Sequence, residues 1–194
     1  MSDNQSWTKR VAIFATALAL LALISCVLIY WTHSTTVVLV VRHAERNNAA
    51  ACSPPELGPP LSAAGQNRAQ TLAHVCRDAG VAGIYASKFC RTQQTVAPLA
   101  NQLGLTVNVV DQVAPDKTVS VDALIAQVWA NHTGQVVLIA GHTNTVPVII
   151  EKLGGAIAPI PETEFDNLFV VTISRWRWWG SRTRTVRLKY GVPT

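Results

Sequence analysis

From Val11 to Trp31 the chain carries no charged side chain and presents no polar face at helical spacing. At about 1.5 Å per residue, such a run reaches roughly 30 Å, the thickness of a bilayer's hydrocarbon core. Within a domain of about 150 residues, a helix apolar all round has no place to bury every side. The run is therefore expected as a transmembrane helix or signal anchor. Lys9 and Arg10 directly precede it. That favours a cytoplasmic segment over residues 1–10 and puts the rest of the chain outside the cytoplasm, periplasmic or extracellular. Two alternatives stay open on the residues alone: a cleaved export signal, and lipoprotein processing at Leu23-Ile24-Ser25-Cys26. Against the second stands the apolar continuation Val27 to Trp31, where mature lipoproteins usually begin polar. A short linker, residues 32–35, then leads into one domain over residues 36–194.

That domain reads as alternating strands and helices. Val37 to Val41 is a continuous apolar run, as a strand covered on both faces requires. Asn47 to Pro60, rich in Ala, Asn and Pro, is a loop. Ser62 caps a helix to about Asp78 with Gly80 behind it. A strand follows at Gly83 to Ala86, a helix at Arg91 to Leu103 and a strand at Leu105 to Val110. Val121, Leu124, Ile125, Val128 and Trp129 keep helical spacing. Val136 to Ala140 is a strand, and Thr145 to Leu153 a helix that tolerates Pro147 in its first turn. Leu168 to Ile173 and Thr185 to Lys189 close the chain as a hairpin with Gly180 in the turn. The alternation predicts an α/β fold, a three-layer α/β/α arrangement on a mostly parallel central sheet.

Charge is unevenly placed. Between Thr36 and Ser174 there are eight Lys and Arg against ten Asp and Glu, whereas Arg175 to Lys189 holds six basic residues and no acid. The chain's pI of about 9.3 thus reports its tail, and no nucleic-acid partner is expected. In that tail Trp176 and Trp178 alternate with arginines. Such a stretch suits a membrane interface or an acidic partner, or is an ordinary hairpin. Three cysteines lie in the domain, Cys52, Cys76 and Cys90, enough for one disulfide and one thiol left over. No Cys-x-x-Cys is present, and no metal or organic cofactor is called for.

Two of the strands end in histidine. Val37 to Val41 runs into Arg42-His43, and Gln135 to Ala140 runs into Gly141-His142. In open α/β sheets ligands bind beyond the carboxyl ends of the strands. Arg91 opens the helix after the strand ending at Ala86, so it too lies at a carboxyl end. Arginine's planar fork suits a phosphate, and neutral imidazole is a competent nucleophile near pH 7. Arg42, His43, Arg91 and His142 therefore point to an anion site, with Asn144 beside it.

Four stretches in order carry a resemblance. They are Val41-Arg42-His43-Ala44-Glu45, Leu61-Ser62-x-x-Gly65-x-x-Arg68-Ala69, Ser87-x-x-x-Arg91-Thr92-x-x-Thr95 and Gly141-His142. Over about Thr36 to Tyr190 the chain resembles the histidine phosphatase superfamily, the phosphoglycerate-mutase-like proteins. The resemblance implies His43 as the phosphorylated nucleophile, with Arg42, Arg91 and His142 holding phosphate; packing roles suit Gly65 and Arg68. It implies a phosphatase acting on phosphomonoesters or phosphohistidine, hence a phosphorylated small molecule or phosphoprotein as partner. The alternative is a non-catalytic phosphate- or partner-binding domain tethered through residues 11–31. The proton donor has no diagnostic context here: Thr143 follows His142, and Glu45, Asp111 and Asp116 are the candidates. Glu162, Glu164, Asp166 and Asn167, ahead of a late strand, fit a solvated turn or line the site.

Overall fold

The computed structural model describes residues 2–112, 117–176 and 180–194. Helix α1 runs over Ser2–Thr32 and strand β1 over His33–Arg42. Next come α2 (Ala63–Cys76), β2 (Val81–Ala86), α3 (Cys90–Leu103), β3 (Val107–Val109) and α4 (Lys117–His132). The chain finishes with β4 (Val136–Gly141), α5 (Val146–Lys152), β5 (Asn167–Trp176) and β6 (Gly180–Lys189). A single turn of 3₁₀ helix at Pro55–Leu57 interrupts the long loop after β1. Residues 32–35, expected as a linker, are the last residue of α1 and the first three of β1. Gly180, expected within a turn, opens β6 instead. Asp116 and Trp178 lie outside the described residues.

The chain divides into two units. One comprises residues 1–34 and 175–180; the other comprises residues 35–174 and 181–194. Within the first, α1 holds a stretch, Trp7–Val27, long and apolar enough to cross a membrane, and none of it is buried. His33 stacks on Trp176 there, ring centroids 5.2 Å apart.

The second unit is built on a six-stranded sheet, in the order β3-β2-β4-β1-β5-β6. The four strands β3, β2, β4 and β1 run parallel. The alternation of side chains along a strand explains why Val37 to Val41 of β1 is apolar throughout. Val38 and Val40 face a core shared with Leu124 and Val128 of α4 and Ile149 and Ile150 of α5. Leu39 and Val41 face the opposite core, with Leu72 of α2 and Val96 and Leu99 of α3. Two cores, one on each face of one sheet, make the three layers.

Local chemistry sets the helix ends. The Ser62 side chain accepts from the Gly65 N–H and caps α2. Gly104, at φ +66°, ends α3 in the left-handed conformation that glycine adopts without strain. Gly65 serves a different need. A Cβ there would lie 2.1 Å from the Glu45 carbonyl oxygen, so only glycine lets α2 start against the loop after β1.

The disulfide joins Cys52 to Cys90, Cα atoms 6.6 Å apart. It ties the loop after β1 to the first residue of α3, next to Arg91. Cys76 is the thiol left over in the domain, buried in α2. Burial pushes that thiol up to about 11, which leaves it unreactive near neutrality.

Candidate active site

Strand order brings the motif residues together. Strand β4 lies between β1 and β2, with Arg42 opposite Gly141 and Ala86 opposite Ala140. The ends of these three strands therefore deliver Arg42-His43, His142 and Ser87 to one place. The His43 N–H donates to the Gly141 carbonyl at 2.9 Å, carrying the ladder one step past the strands. The two imidazoles meet edge to face, centroids 5.4 Å apart.

A hydrogen bond fixes the tautomer of His43. Its Nδ1 is 2.8 Å from the carbonyl oxygen of Ala44. A carbonyl only accepts, so Nδ1 carries the hydrogen and the lone pair sits on Nε2. Ala44 is itself held, because its N–H donates to Thr95 Oγ1 at 2.9 Å. Thr95 in turn donates to the Arg91 carbonyl at 2.7 Å. One helix turn of α3 thus supplies both Arg91 and the clamp behind the nucleophile. For His142, Arg91 Nη2 donates to Nδ1 at 3.4 Å, and Nε2 lies 2.9 Å from Ser87 Oγ. Arginine only donates, so in the neutral ring Nε2–H donates to Ser87. The His142 backbone N–H donates to Thr145 Oγ1 at 2.8 Å.

Both rings stay neutral at physiological pH. Burial lowers His43 to about 3, helped by repulsion from His142, Arg91 and Arg42. Burial likewise lowers His142 to about 3, reinforced by Arg91, Arg42 and Arg46. Arg42 and Arg91 are themselves lowered, chiefly by burial. Such a concentration of positive charge away from water disfavours further cations and favours an anion.

The cavity here has a volume of about 250 Å³, lined by Arg42, His43, Arg46, Phe89, Arg91, His142, Thr143, Asn144 and Glu162. Arg42 lies over the Phe165 ring at 4.1 Å and Arg91 over Phe89 at 4.3 Å. The Nε atoms of both arginines are buried and have no hydrogen-bond partner among the described residues. Asn144 lines the cavity as expected. No group of three metal-ligating side chains occurs among the described residues.

The expected proton donors do not gather here. Glu45 faces away, on the wall of another cavity with Arg68 and the C-terminal residues. Arg68 Nε and Nη2 donate to its carboxylate at 2.7 to 3.0 Å. Burial pushes Glu45 up, but the Arg68 hydrogen bonds outweigh it and hold the carboxylate below its usual range. Asp111 pairs with Lys88 at 3.0 Å and does not line the cavity. Asp116 lies outside the described residues. In their place the structure presents Glu162, whose Oε2 accepts from Arg42 Nη2 at 3.0 Å. Arg46 escapes the sequence reading, in which Glu162 figures only as one of four residues that line the site or form a solvated turn. Arg46, four residues after Arg42, is findable as a cation directly behind the motif. Glu162 sits in a loop after α5 with no periodic or motif signal.

Comparison with known proteins agrees with this geometry. Residues 38–114 match the model of the histidine phosphatase superfamily (branch 1). That stretch takes in Arg42, His43 and Arg91 and ends before His142. Over 76 residues the chain is 43% identical to the PE-PGRS family protein PE_PGRS11 of Mycobacterium tuberculosis. The aligned part is 38% of this chain and 13% of that relative, so the two share a segment of a much longer protein. Among solved structures, a mycobacterial glucosyl-3-phosphoglycerate phosphatase complexed with VO3 superposes with a TM-score of 0.60 at 16% identity, covering 80% of this chain and 99% of that one. The protein histidine phosphatase SixA complexed with tungstate gives 0.58 at 18% identity, covering 79% and 96%. At such identities these likenesses establish the fold.

Proposed function

We propose that the chain is a phosphoric monoester hydrolase of the histidine phosphatase superfamily, whose model matches residues 38–114, and that it works through a phosphohistidine on His43. The observation that carries this is the Ala44 carbonyl on His43 Nδ1, which leaves Nε2 as a buried, unprotonated nucleophile. Arg42, Arg91 and Asn144 receive the phosphoryl oxygens, while His142, engaged by Arg91 and Ser87, orients Arg91. The two unpartnered Nε donors supply part of that capacity.

The reaction runs in two steps. The Nε2 lone pair attacks phosphorus and the bond to the leaving group breaks, its electron pair going to the leaving atom. Water then attacks the phosphorus, the P–N bond breaks, its electrons return to Nε2 and inorganic phosphate departs. Each step has in-line geometry, and the fixed cations stabilise the charge on the equatorial oxygens. Two substrate classes suit the site: phosphomonoesters, as for the glucosyl-3-phosphoglycerate phosphatase it resembles, and phosphohistidine, as for the protein histidine phosphatase.

We further infer a membrane-anchored protein with the catalytic domain outside the cytoplasm. Supporting this are the apolar stretch of α1, the preceding Lys9 and Arg10, and the Cys52–Cys90 disulfide, a bond that persists in oxidising compartments. An alkaline-phosphatase reporter fused after Thr194 should then be active; a silent fusion places the domain in the cytoplasm.

The activity is tested by phosphate release from a panel of phosphomonoesters and a phosphohistidine peptide, wild type against His43→Ala, with the full chain in detergent. Release that disappears with His43 supports the reading. A folded wild type that binds phosphate yet releases none from any compound overturns it in favour of a binding domain.

A further inference from the structure

Neither Glu45 nor Asp111 lines the cavity, and the loop between α5 and β5 brings a carboxyl group to it. Arg42 holds that loop through its main chain. Its Nη1 donates to the carbonyls of Glu162 at 2.7 Å, Glu164 at 3.1 Å and Pro161 at 3.2 Å. Its Nη2 donates to the Glu162 carboxylate, so Glu162 is fixed at both ends of its residue. Phe165, three residues on, covers the Arg42 guanidinium and lies 6.1 Å from the His43 ring. The loop is thus packed onto the carboxyl end of β1, where the chemistry occurs.

Depth in the cavity separates the roles. His43 is 4% exposed and Arg42 5% in its side chain, whereas the Glu162 side chain is 79% exposed. In-line transfer puts the leaving atom opposite the attacking nitrogen, therefore on the solvent side of a phosphoryl group seated between the arginines. The lining residues exposed at that mouth are Arg46, Asn144 and Glu162. Arg46 does not release its proton, and an amide neither gives nor takes one. Among the described lining residues Glu162 is the one carboxyl group.

We propose that Glu162 is the catalytic proton donor to the leaving group, which makes phosphomonoesters of ordinary alcohols, and not only activated phosphates, substrates of this site. The inference rests on the phosphatase reading above. Seating the phosphoryl group engages Arg42 with its oxygens. As the P–O bond breaks, its electron pair takes the Glu162 proton and the alcohol leaves neutral. Glu162, now a carboxylate, accepts a proton from the water that attacks phosphohistidine. The acid is restored as phosphate departs.

The leaving group reads the proton transfer directly. Glu162→Gln keeps the shape and the hydrogen bond from Arg42 while removing the exchangeable acid. The experiment measures kcat/KM, which reports phosphoryl transfer to His43 and not the later hydrolysis shared by both esters, for wild type and E162Q on 2,4-dinitrophenyl phosphate and on an alkyl phosphate such as glycerol phosphate. A dinitrophenolate leaves without help, so its hydrolysis also reports that the variant is folded and its nucleophile intact. The expected result is a loss on the order of 10²- to 10³-fold on the alkyl ester. On the activated ester the expected loss is below about tenfold. Equal losses on both esters, or none on either, overturn the assignment and leave Glu162 as an anchor for Arg42. A wild type inactive on dinitrophenyl phosphate itself overturns the phosphatase reading as well.

Discussion

Two arginines of this domain, Arg42 and Arg68, are each buried beside a glutamate, yet they do opposite things. Arg68 is saturated. Its Nε and Nη2 grip Glu45, Nη1 donates to the Tyr190 carbonyl at 3.1 Å and Nη2 to that of Val192 at 2.9 Å. It ties the loop after β1, helix α2 and the C-terminal residues into one piece. Arg42, and with it Arg91, keeps a buried Nε with no partner among the described residues, and its glutamate is largely in water. A buried donor left unmet costs about 1–3 kcal/mol, so folding alone does not explain it. Arg68 spends every nitrogen on the fold; Arg42 and Arg91 each keep one for an anion.

That contrast is sharpest under mutation. Arg91→Ala should lower kcat/KM on any phosphate ester on the order of 10²- to 10³-fold, as removal of a fixed donor to a developing oxyanion does. Thermal stability should fall little, since an unmet donor leaves with it. Arg68→Ala should do the reverse. Unfolding by urea should be easier by about 2–4 kcal/mol, because the half-buried Glu45 loses its partner. The folded fraction should keep kcat within about threefold. Steady-state kinetics and urea titration on both variants check this, and a stability loss on Arg91→Ala equal to that on Arg68→Ala would erase the distinction.

The histidines extend the comparison to pH. Folded, His43 and His142 titrate near 3; unfolded, they titrate near their ordinary 6.5. Above about 6.5 neither state gains protons. As pH falls from 6.5 toward 3, only the unfolded chain binds them, and stability drops by about 1.4 kcal/mol per pH unit for each ring. Urea midpoints between pH 7 and pH 5 should show this slope, and His142→Asn should roughly halve it. A flat profile over that window would mean the rings are not held neutral by burial. Gly65→Ala comes next: its methyl would meet the Glu45 carbonyl, costing about 1–3 kcal/mol of stability by the same titration, with kcat unchanged. The smallest effect is on Glu45→Gln, which should leave the rate ratio between alkyl and activated esters as in the wild type. A selective loss on the alkyl ester would make Glu45 the donor after all.

Much of this is legible in the residues. Val37 to Val41 is apolar on both faces because α2 and α3 cover one side and α4 and α5 the other. An Arg-His pair at the end of such a strand has no packing purpose, which is why Arg42 and His43 stand out. The same argument locates His142 and Arg91. The proton donor does not stand out, because what positions Glu162 is a set of main-chain carbonyls on Arg42, and any residue has a carbonyl. Glu45 misleads for the opposite reason. It sits in the motif itself, yet the Arg68 fork turns it to another cavity. The disulfide pairing is equally silent, since only the folded loop after β1 brings Cys52 to Cys90. β3 spans Val107–Val109, shorter than the apolar run suggests, because an edge strand needs pairing on one side only.

The most direct test of the account is to trap the phosphoenzyme. The full chain in detergent is mixed with a ³²P-labelled activated phosphate ester, quenched within milliseconds in alkali, digested and mapped. The account predicts label approaching one phosphoryl group per chain, stable to alkali, labile to acid, located on His43 and absent from His43→Ala. Label on another residue, or turnover with no covalent phosphate at any quench time, would contradict it.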